Sequence, residues 1–178
     1  MFIFLQHIVP QKLLTRLVGA LSRLRGGRIT TKAIRWFIKQ YGVDMSQAVQ
    51  PDPASYKSFN DFFTRALKPD ARPIDLTDGG ICAPADGCVS AFGAITNGDI
   101  IQAKGQDYTV RALMGGSSAL SSPFELGSFI TEYLSPKDYH RVHMPCAGQL
   151  TDMIYVPGRL FSVNSDAVLG VPGLFARN

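Results

Sequence analysis

Apolar residues recur at helical spacing near the start of the chain. With an advance of about 100° per residue, the apolar positions between residues 13 and 24 share one helix face and the basic positions lie opposite. The apolar positions are Leu13, Leu14, Leu17, Val18, Leu21 and Leu24, and the basic ones are Lys12, Arg16 and Arg23. The pattern predicts an amphipathic helix that begins after Pro10 and ends at Gly26-Gly27.

The next segment repeats this pattern. It predicts a second amphipathic helix that is capped by Thr30 or Thr31, ends at Gly42 and has Trp36 at the boundary between its faces. Its apolar face contains Ile34, Phe37, Ile38 and Tyr41, and its basic face contains Lys32, Arg35 and Lys39.

A short aromatic helix is predicted after Ser58, because Ser58-x-x-Asp61 approximates a capping box. Its phenylalanines are expected to anchor the N-terminal arm to the rest of the protein; they are Phe59, Phe62 and Phe63. The prolines between Lys68 and Pro73 indicate an extended linker.

From Ile81 onward the pattern favours short strands. Asn97-Gly98 predicts a hairpin turn between two of them. The predicted strands are 88–95, 100–103, 129–134 and 149–156. The fold class expected is therefore α+β, with N-terminal amphipathic helices followed by a mainly antiparallel β core. We expect a helical arm over 1–50, a short helix and linker over 51–80, and a β-rich body over 81–178.

Charge separates the arm from the body. Residues 1–50 carry net +7 and residues 51–178 carry net −3, which indicates an anionic partner for the arm. Basic amphipathic helices with a flanking Trp are typical of peripheral contact with anionic lipid, and no recognition motif favours nucleic acid. The alternative is a pair of ordinary helices packed on their own domain with a solvated basic face.

The richest candidate chemistry lies in Tyr133-Leu-Ser-Pro-Lys-Asp-Tyr-His-Arg-Val-His-Met-Pro145, here called the histidine segment, which holds two of the three histidines. His143 is a candidate general base, and Asp86, in the turn Pro84-Ala-Asp-Gly87, is a candidate orienting carboxylate. From the sequence alone the favoured interpretation of Asp86 is a turn carboxylate that bonds its own backbone, and Asp138 is a rival orienter. No obvious nucleophile accompanies these groups.

These motifs resemble the phosphatidylserine decarboxylase proenzymes of the bacterial and mitochondrial type. The resemblance is carried by Pro84–Gly87, the histidine segment and Tyr155-Val-Pro-Gly-Arg-Leu-Phe-Ser-Val-Asn164, and it extends to Tyr56–Phe63 and Arg72–Asp75. The family's self-cleavage signal, Leu-Gly-Ser-Thr or a variant, lies far beyond the histidine segment. The chain is therefore expected to be an N-terminal fragment of the larger, β subunit.

The resemblance implies that Asp86 and His143 activate a Ser hydroxyl that this chain does not contain. That hydroxyl would attack the preceding carbonyl and form an ester. Elimination from the ester would divide the chain and expose a dehydroalanine, which would then become the covalent pyruvoyl group. The pyruvoyl group would form a Schiff base with phosphatidylserine and release CO2 and phosphatidylethanolamine, with His140 serving the decarboxylation step. Residues expected to line the substrate site are Tyr139, Phe161, Val163 and Asn164, with Arg141 as a further candidate for the phosphodiester.

The expected partners follow from the same resemblance. They are phosphatidylserine, an anionic membrane surface, the missing C-terminal part with its α subunit, and a second copy in a homodimer. The protein is expected at the cytoplasmic face of the inner or plasma membrane, and this chain alone is expected to be inactive.

Several alternatives compete with this interpretation. Leu126-Gly127-Ser128 spells part of a cleavage signal but lies upstream of the histidine segment, so a turn entering a strand is favoured. Zinc binding by His140 and His143 lacks a second ligand cluster, and a serine hydrolase lacks a Gly-x-Ser-x-Gly elbow. No metal is expected. A non-catalytic lipid-binding module would leave the histidine segment unexplained.

Overall fold

The computed structural model describes residues 2–75, 77–103 and 106–178, which form two compact units. The first unit comprises the residues up to Leu17, Val89–Thr131 and Asp152–Asn178. The second comprises Val18–Cys88 and Glu132–Thr151. The predicted α+β class is confirmed, whereas the division at residues 50 and 80 stays a prediction.

Three helices open the chain. They are α1 (Phe2–Ile8), α2 (Gln11–Ser22) and α3 (Arg28–Tyr41). Gly42 ends α3 in the left-handed conformation, with φ 68°, as predicted. The predicted threonine cap is wrong, because the N-cap residue is Gly27, at φ 52° and three residues before Thr30. Thr30 lies inside α3, and its hydroxyl accepts a hydrogen bond from the Gly26 N–H at 3.0 Å.

The second unit has an aromatic core around α4 (Phe59–Phe63). As predicted, Ser58 caps this helix: its hydroxyl accepts from the Asp61 N–H at 3.1 Å. Phe62 and Ile34 are fully buried, so the apolar face of α3 packs against α4. Rings around this contact meet mostly edge to face, and they belong to Phe37, Tyr56, Phe59, Phe62 and Phe63.

Replacement of Phe62 by Ala should destabilise this core by about 3–5 kcal/mol, because a fully buried ring leaves a cavity that the neighbours fill only in part. Urea unfolding followed by circular dichroism measures the loss. The matched control is Phe92→Ala, whose ring is 77% exposed and should cost less than about 0.5 kcal/mol. Equal losses in the two variants would contradict the burial of Phe62.

Four strands form two small sheets. They are β1 (Cys88–Ala94), β2 (Asp99–Ala103), β3 (Gln106–Thr109) and β4 (Ser128–Tyr133). β1 pairs with β4, and β2 pairs antiparallel with β3 so that Ile100 lies opposite Tyr108.

The turn predicted at Asn97-Gly98 is present, with Thr96 and Asp99 bridged antiparallel across it, but the two strands that it was predicted to join do not pair with each other. Asn97 and Gly98 both have positive φ, 52° and 81°, as a two-residue turn requires. The strands on either side belong to different sheets, however. Beyond β1, the Ile95 N–H bonds to the Gly127 carbonyl and so continues the pairing with the β4 side of the chain.

The remaining regular elements of the described chain are short helices. They are α5 (Val110–Leu113), α6 (Ser118–Ser121), α7 (Ser165–Gly170) and α8 (Leu174–Arg177), with 3-10 turns at Pro53–Ser55 and Ser122–Phe124. The strand predicted over 149–156 is wrong: this segment has no regular structure. A strand needs a hydrogen-bonded neighbour, and among the described residues none pairs with it.

Candidate active site

Two backbone hydrogen bonds join the Asp86 turn to the histidine segment. The His143 N–H donates to the Pro84 carbonyl at 2.7 Å, and the Cys82 N–H donates to the Pro145 carbonyl at 2.9 Å. The two segments therefore run side by side as an antiparallel pair. In both residue pairs one partner is a proline, which has no N–H and so cannot donate the second hydrogen bond of a regular antiparallel pair. This explains why no regular strand forms here.

Gly87 permits this close approach. Its φ is 147°, and a Cβ at this position would lie 2.5 Å from the Tyr133 carbonyl oxygen. Any other residue would push the turn away from the start of the histidine segment. The glycine of the Pro84–Gly87 motif is thus explained by packing beside Asp86.

Asp86 forms an ion pair with Arg72. Arg72 Nε donates to Asp86 Oδ1 at 2.7 Å, and Nη2 donates to Oδ2. These hydrogen bonds, more than any other cause, lower the pKa of the Asp86 carboxyl below its usual value. Asp86 is consequently a carboxylate at neutral pH.

His143 is paired with Tyr139. The Tyr139 hydroxyl and His143 Nε2 are 2.9 Å apart, and the two rings stack with centroids 5.5 Å apart. Tyr139 is buried whereas His143 is exposed, so the tyrosine supports an accessible imidazole. The Asp86 carboxylate is directed at Arg72, and the expected Asp86–His143 hydrogen bond stays a prediction.

Asp86, Tyr139 and His143 line one cavity of about 1090 Å³. Its wall is built from residues between Leu67 and Asp86 and between Tyr139 and Ala147. Among the described residues, the wall contains no serine. The cavity thus offers a base and a carboxylate but no serine nucleophile.

His140 has a different environment from His143. Its ring stacks on Phe63, with centroids 4.1 Å apart and planes 21° apart. Nε2 is buried and has no hydrogen-bond partner among the described residues. Burial is the main cause that lowers the pKa of His140 below its usual value, so the imidazole is neutral at pH 7. His140 does not belong to the cavity wall that His143 lines.

The end of α4 holds the histidine segment by its backbone. The buried Arg65 donates from Nη2 to the Lys137 carbonyl at 3.0 Å. In the other direction, Arg141 Nε donates to the Thr64 carbonyl at 2.8 Å. Arg141, a sequence candidate for the phosphodiester, is thus engaged in this contact.

Asp138, the rival of Asp86 as orienting carboxylate, caps a loop. Its carboxylate accepts from the Ser135 N–H at 2.7 Å. Leu126-Gly127-Ser128 likewise forms a turn, closed by the Gly127 N–H on the Phe124 carbonyl, and Ser128 begins β4. In the described part of the chain no group of three or more His, Cys, Asp and Glu side chains is placed to hold a metal ion.

The remaining predicted site residues, Phe161, Val163 and Asn164, belong to the first unit. Phe161 is buried in a cluster with Leu174. Asn164 caps α7, its side chain accepting from the Ala167 N–H at 3.0 Å, and Val163 is 42% exposed. Their substrate contacts stay predictions.

Sequence reasoning did not single out Arg65 and Arg72. Arg72 lies in the Arg72–Asp75 motif, which contributed to the family resemblance but indicated no role for the arginine. Arg65 follows the aromatic helix, and its burial offered no signal at all. The contacts of Arg65 with the Lys137 carbonyl and of Arg72 with Asp86 join residues that are separated in the sequence.

Comparison with known proteins gives two family matches. The family model described as phosphatidylserine decarboxylase matches residues 59–178, and one described as PSD matches residues 1–42. Curated relatives called phosphatidylserine decarboxylase proenzyme match nearly the whole chain. The one from Vibrio vulnificus (strain YJ016) is 59% identical over 174 residues, 98% of this chain and 61% of its own length.

Other relatives of the same name agree. The protein of Azoarcus sp. (strain BH72) is 58% identical over 97% of this chain and 59% of its own length. That of Chromobacterium violaceum is 55% identical over 100% of this chain and 63% of its own length. The chain spans about three fifths of the length of the curated relatives it matches. It belongs to the phosphatidylserine decarboxylase family.

Proposed function

We propose that the protein expressed from its complete gene, called the complete protein below, converts phosphatidylserine to phosphatidylethanolamine and CO2. The observation that carries this proposal is the pairing of the Asp86 turn with the histidine segment at one cavity. These two motifs carry the family resemblance, and they are far apart in the sequence.

In this proposal the first task of the site is self-cleavage. His143, exposed and fixed by the Tyr139 hydroxyl, takes the proton from a Ser hydroxyl delivered into the cavity. We place that Ser in the part of the relatives' length that this chain does not span. Asp86, held ionised by Arg72, stabilises the imidazolium that results.

Self-cleavage would leave a covalent pyruvoyl group, which supplies an electron sink for decarboxylation. The donor set fits such a group, because Tyr139 and His143 present hydrogen-bonding atoms to a cavity large enough for a chain segment. His140 would then move a proton at its uncommitted Nε2, since a neutral imidazole both accepts and donates.

The decisive assay compares two proteins on phosphatidylserine vesicles. The complete protein should release CO2 and form phosphatidylethanolamine, and the 178-residue chain should do neither, because it lacks the Ser. Release of CO2 by the 178-residue chain would contradict the proposal.

The membrane surface is the proposed second partner, through α2. Apolar side chains along this helix are more than half exposed, namely Leu13, Leu14, Leu17, Val18 and Leu21. In the part of the chain that the structure describes, no helix has the length and apolar character needed to cross a bilayer. Peripheral attachment to the cytoplasmic face of the inner or plasma membrane, as a homodimer, is part of the proposal and rests on the family resemblance and the exposed apolar face of α2.

Leu17→Glu should weaken binding of the complete protein to anionic vesicles at least about tenfold, because a leucine side chain contributes about 1.5–3 kcal/mol when it leaves water. Thr15→Glu is the matched control, since it adds the same charge to the polar face of α2. Vesicle co-sedimentation measures both. Equal weakening by the two variants would show that charge, rather than insertion of the apolar face, explains the loss.

A non-catalytic lipid-binding module is the second candidate, favoured by the same exposed face. It predicts vesicle binding by a protein that stays uncut and has no decarboxylase activity.

A further inference from the structure

Arg72 has more contacts around the site than the ion pair alone requires. Its Nη1 donates to Gln47 Oε1 at 2.8 Å and to the Ala71 carbonyl at 2.6 Å, while Nε and Nη2 bind Asp86. All of its nitrogens are thus engaged, and its side chain is 46% exposed. A surface arginine held on three sides is fixed in one orientation.

Gln47 is itself held in place by the backbone. The Lys68 N–H donates to the Gln47 carbonyl at 2.9 Å, and the Val49 N–H donates to the Ala66 carbonyl at 3.0 Å. The loop that carries Gln47 is therefore tied to the segment that leads into Arg72. This support converts a flexible side chain into a fixed fork aimed at Asp86.

We propose that Arg72, anchored by Gln47, is a positioning residue that orients Asp86 for self-cleavage. This inference rests on the proposed function and deepens it. The role belongs to Arg72 because a planar guanidinium binds both carboxylate oxygens at once and so fixes the carboxylate plane. Each oxygen keeps a lone pair for a further donor, so the fork leaves Asp86 able to accept from an imidazole.

The surroundings of Asp86 make Arg72 its dominant partner. Arg65 acts on Asp86 only through charge at a distance, and the Tyr139 backbone N–H contributes less than Arg72 does. Loss of the guanidinium should therefore both loosen the carboxylate and raise its pKa. Cleavage that needs the carboxylate form is lost as the pH falls through this pKa, so the acid limb moves to higher pH when Arg72 is removed.

The test follows precursor made from the complete gene by cell-free translation and chased at a series of pH values. Arg72→Gln should slow cleavage about 100-fold at neutral pH, as expected for a misplaced reacting group, and shift the acid limb upward. Arg72→Lys keeps the charge without the fork, so it should keep the acid limb near that of the wild type and recover only part of the rate. Gln47→Leu removes only the anchor and should slow cleavage about fivefold.

Arg111→Gln is the matched control. Arg111 is exposed, its Nε donates to the Gly116 carbonyl at 3.0 Å within the first unit, and it is not one of the residues that line the cavity. This variant should cleave at the wild-type rate. Circular dichroism checks that each variant folds, and if Arg72→Gln does not fold, the Lys and Gln47 variants decide the question.

The inference is overturned if Arg72→Gln, or Arg72→Lys and Gln47→Leu together, cleave at the wild-type rate. It is also overturned if Gln and Lys at position 72 lose equal rate with an unmoved acid limb, because a merely structural role predicts that result. His143→Ala in the same experiment separates the two claims. If His143→Ala cleaves normally, the proposed function fails; if only the Arg72 results disagree, the positioning role fails alone.

Discussion

Replacement of His140 by Ala should leave self-cleavage of the complete protein intact and lower decarboxylation about 100- to 10,000-fold, the usual contribution of a proton-transferring group. The physical reason is the environment of His140. Its ring is neutral, stacked on Phe63, and its buried Nε2 has no partner among the described residues. A buried polar atom without a partner calls for an explanation, and a proton-transferring role would supply one.

Two further variants sharpen this prediction. His140→Phe keeps a ring on Phe63 but removes the proton-transferring nitrogen, so it should be folded, cleaved and inactive. His7→Ala is the histidine control, because His7 lies in α1 of the first unit and contacts Phe161 instead. The measurements are CO2 release and the cleaved fraction on a gel. Normal decarboxylation by either His140 variant would remove His140 from the reaction.

Replacement of Asp86 by Asn should slow self-cleavage about 10,000-fold, the scale seen when an orienting carboxylate of a Ser-His-Asp triad becomes an amide. An amide keeps the shape of the Asp86 side chain but removes its charge. It therefore loses both the ion pair with Arg72 and the stabilisation of the His143 imidazolium. The uncut fraction over time is the readout.

The control for this variant lies in the histidine segment. Asp138→Asn removes one charge and weakens a single loop-capping hydrogen bond to the Ser135 N–H. It should slow cleavage by no more than about fivefold, in line with one ordinary hydrogen bond. If Asp138→Asn slowed self-cleavage more than Asp86→Asn does, Asp138 rather than Asp86 would be the orienting carboxylate.

Local signals predicted local structure well. Ser58 caps α4 and Gly42 ends α3 because these choices depend on a few neighbouring residues. Asn97 and Gly98 adopt the positive φ values that their types favour. The pairing of the strands could not be predicted in this way. β1 pairs with β4 rather than with β2, and that pairing depends on contacts between residues distant in the sequence.

The helical arm shows the same limit. Periodicity predicted the apolar face of α3 but not what that face packs against. In the structure, Ile34 and Phe37 of this face pack against α4. The alternative of a helix packed on its own domain therefore describes that face of α3. The apolar face of α2 is exposed, so two helices with similar sequence patterns lie in different environments.

At the candidate site, the sequence indicated the proposed reacting groups but not the residues that hold them in place. His143 and Asp86 stand in distinctive motifs, and the structure places both at one cavity. Arg72 reaches Asp86 across fourteen positions, and Arg65 holds the Lys137 carbonyl across seventy-two. Contacts of this kind follow from the fold, so no spacing in the sequence marks them.

The proposed self-cleavage is tested most directly by the intact mass of the complete protein beside its His143→Ala variant. We expect two pieces from the wild type, the smaller with a blocked pyruvoyl end, and one uncut chain from the variant. A single uncut chain from both proteins would contradict this proposal.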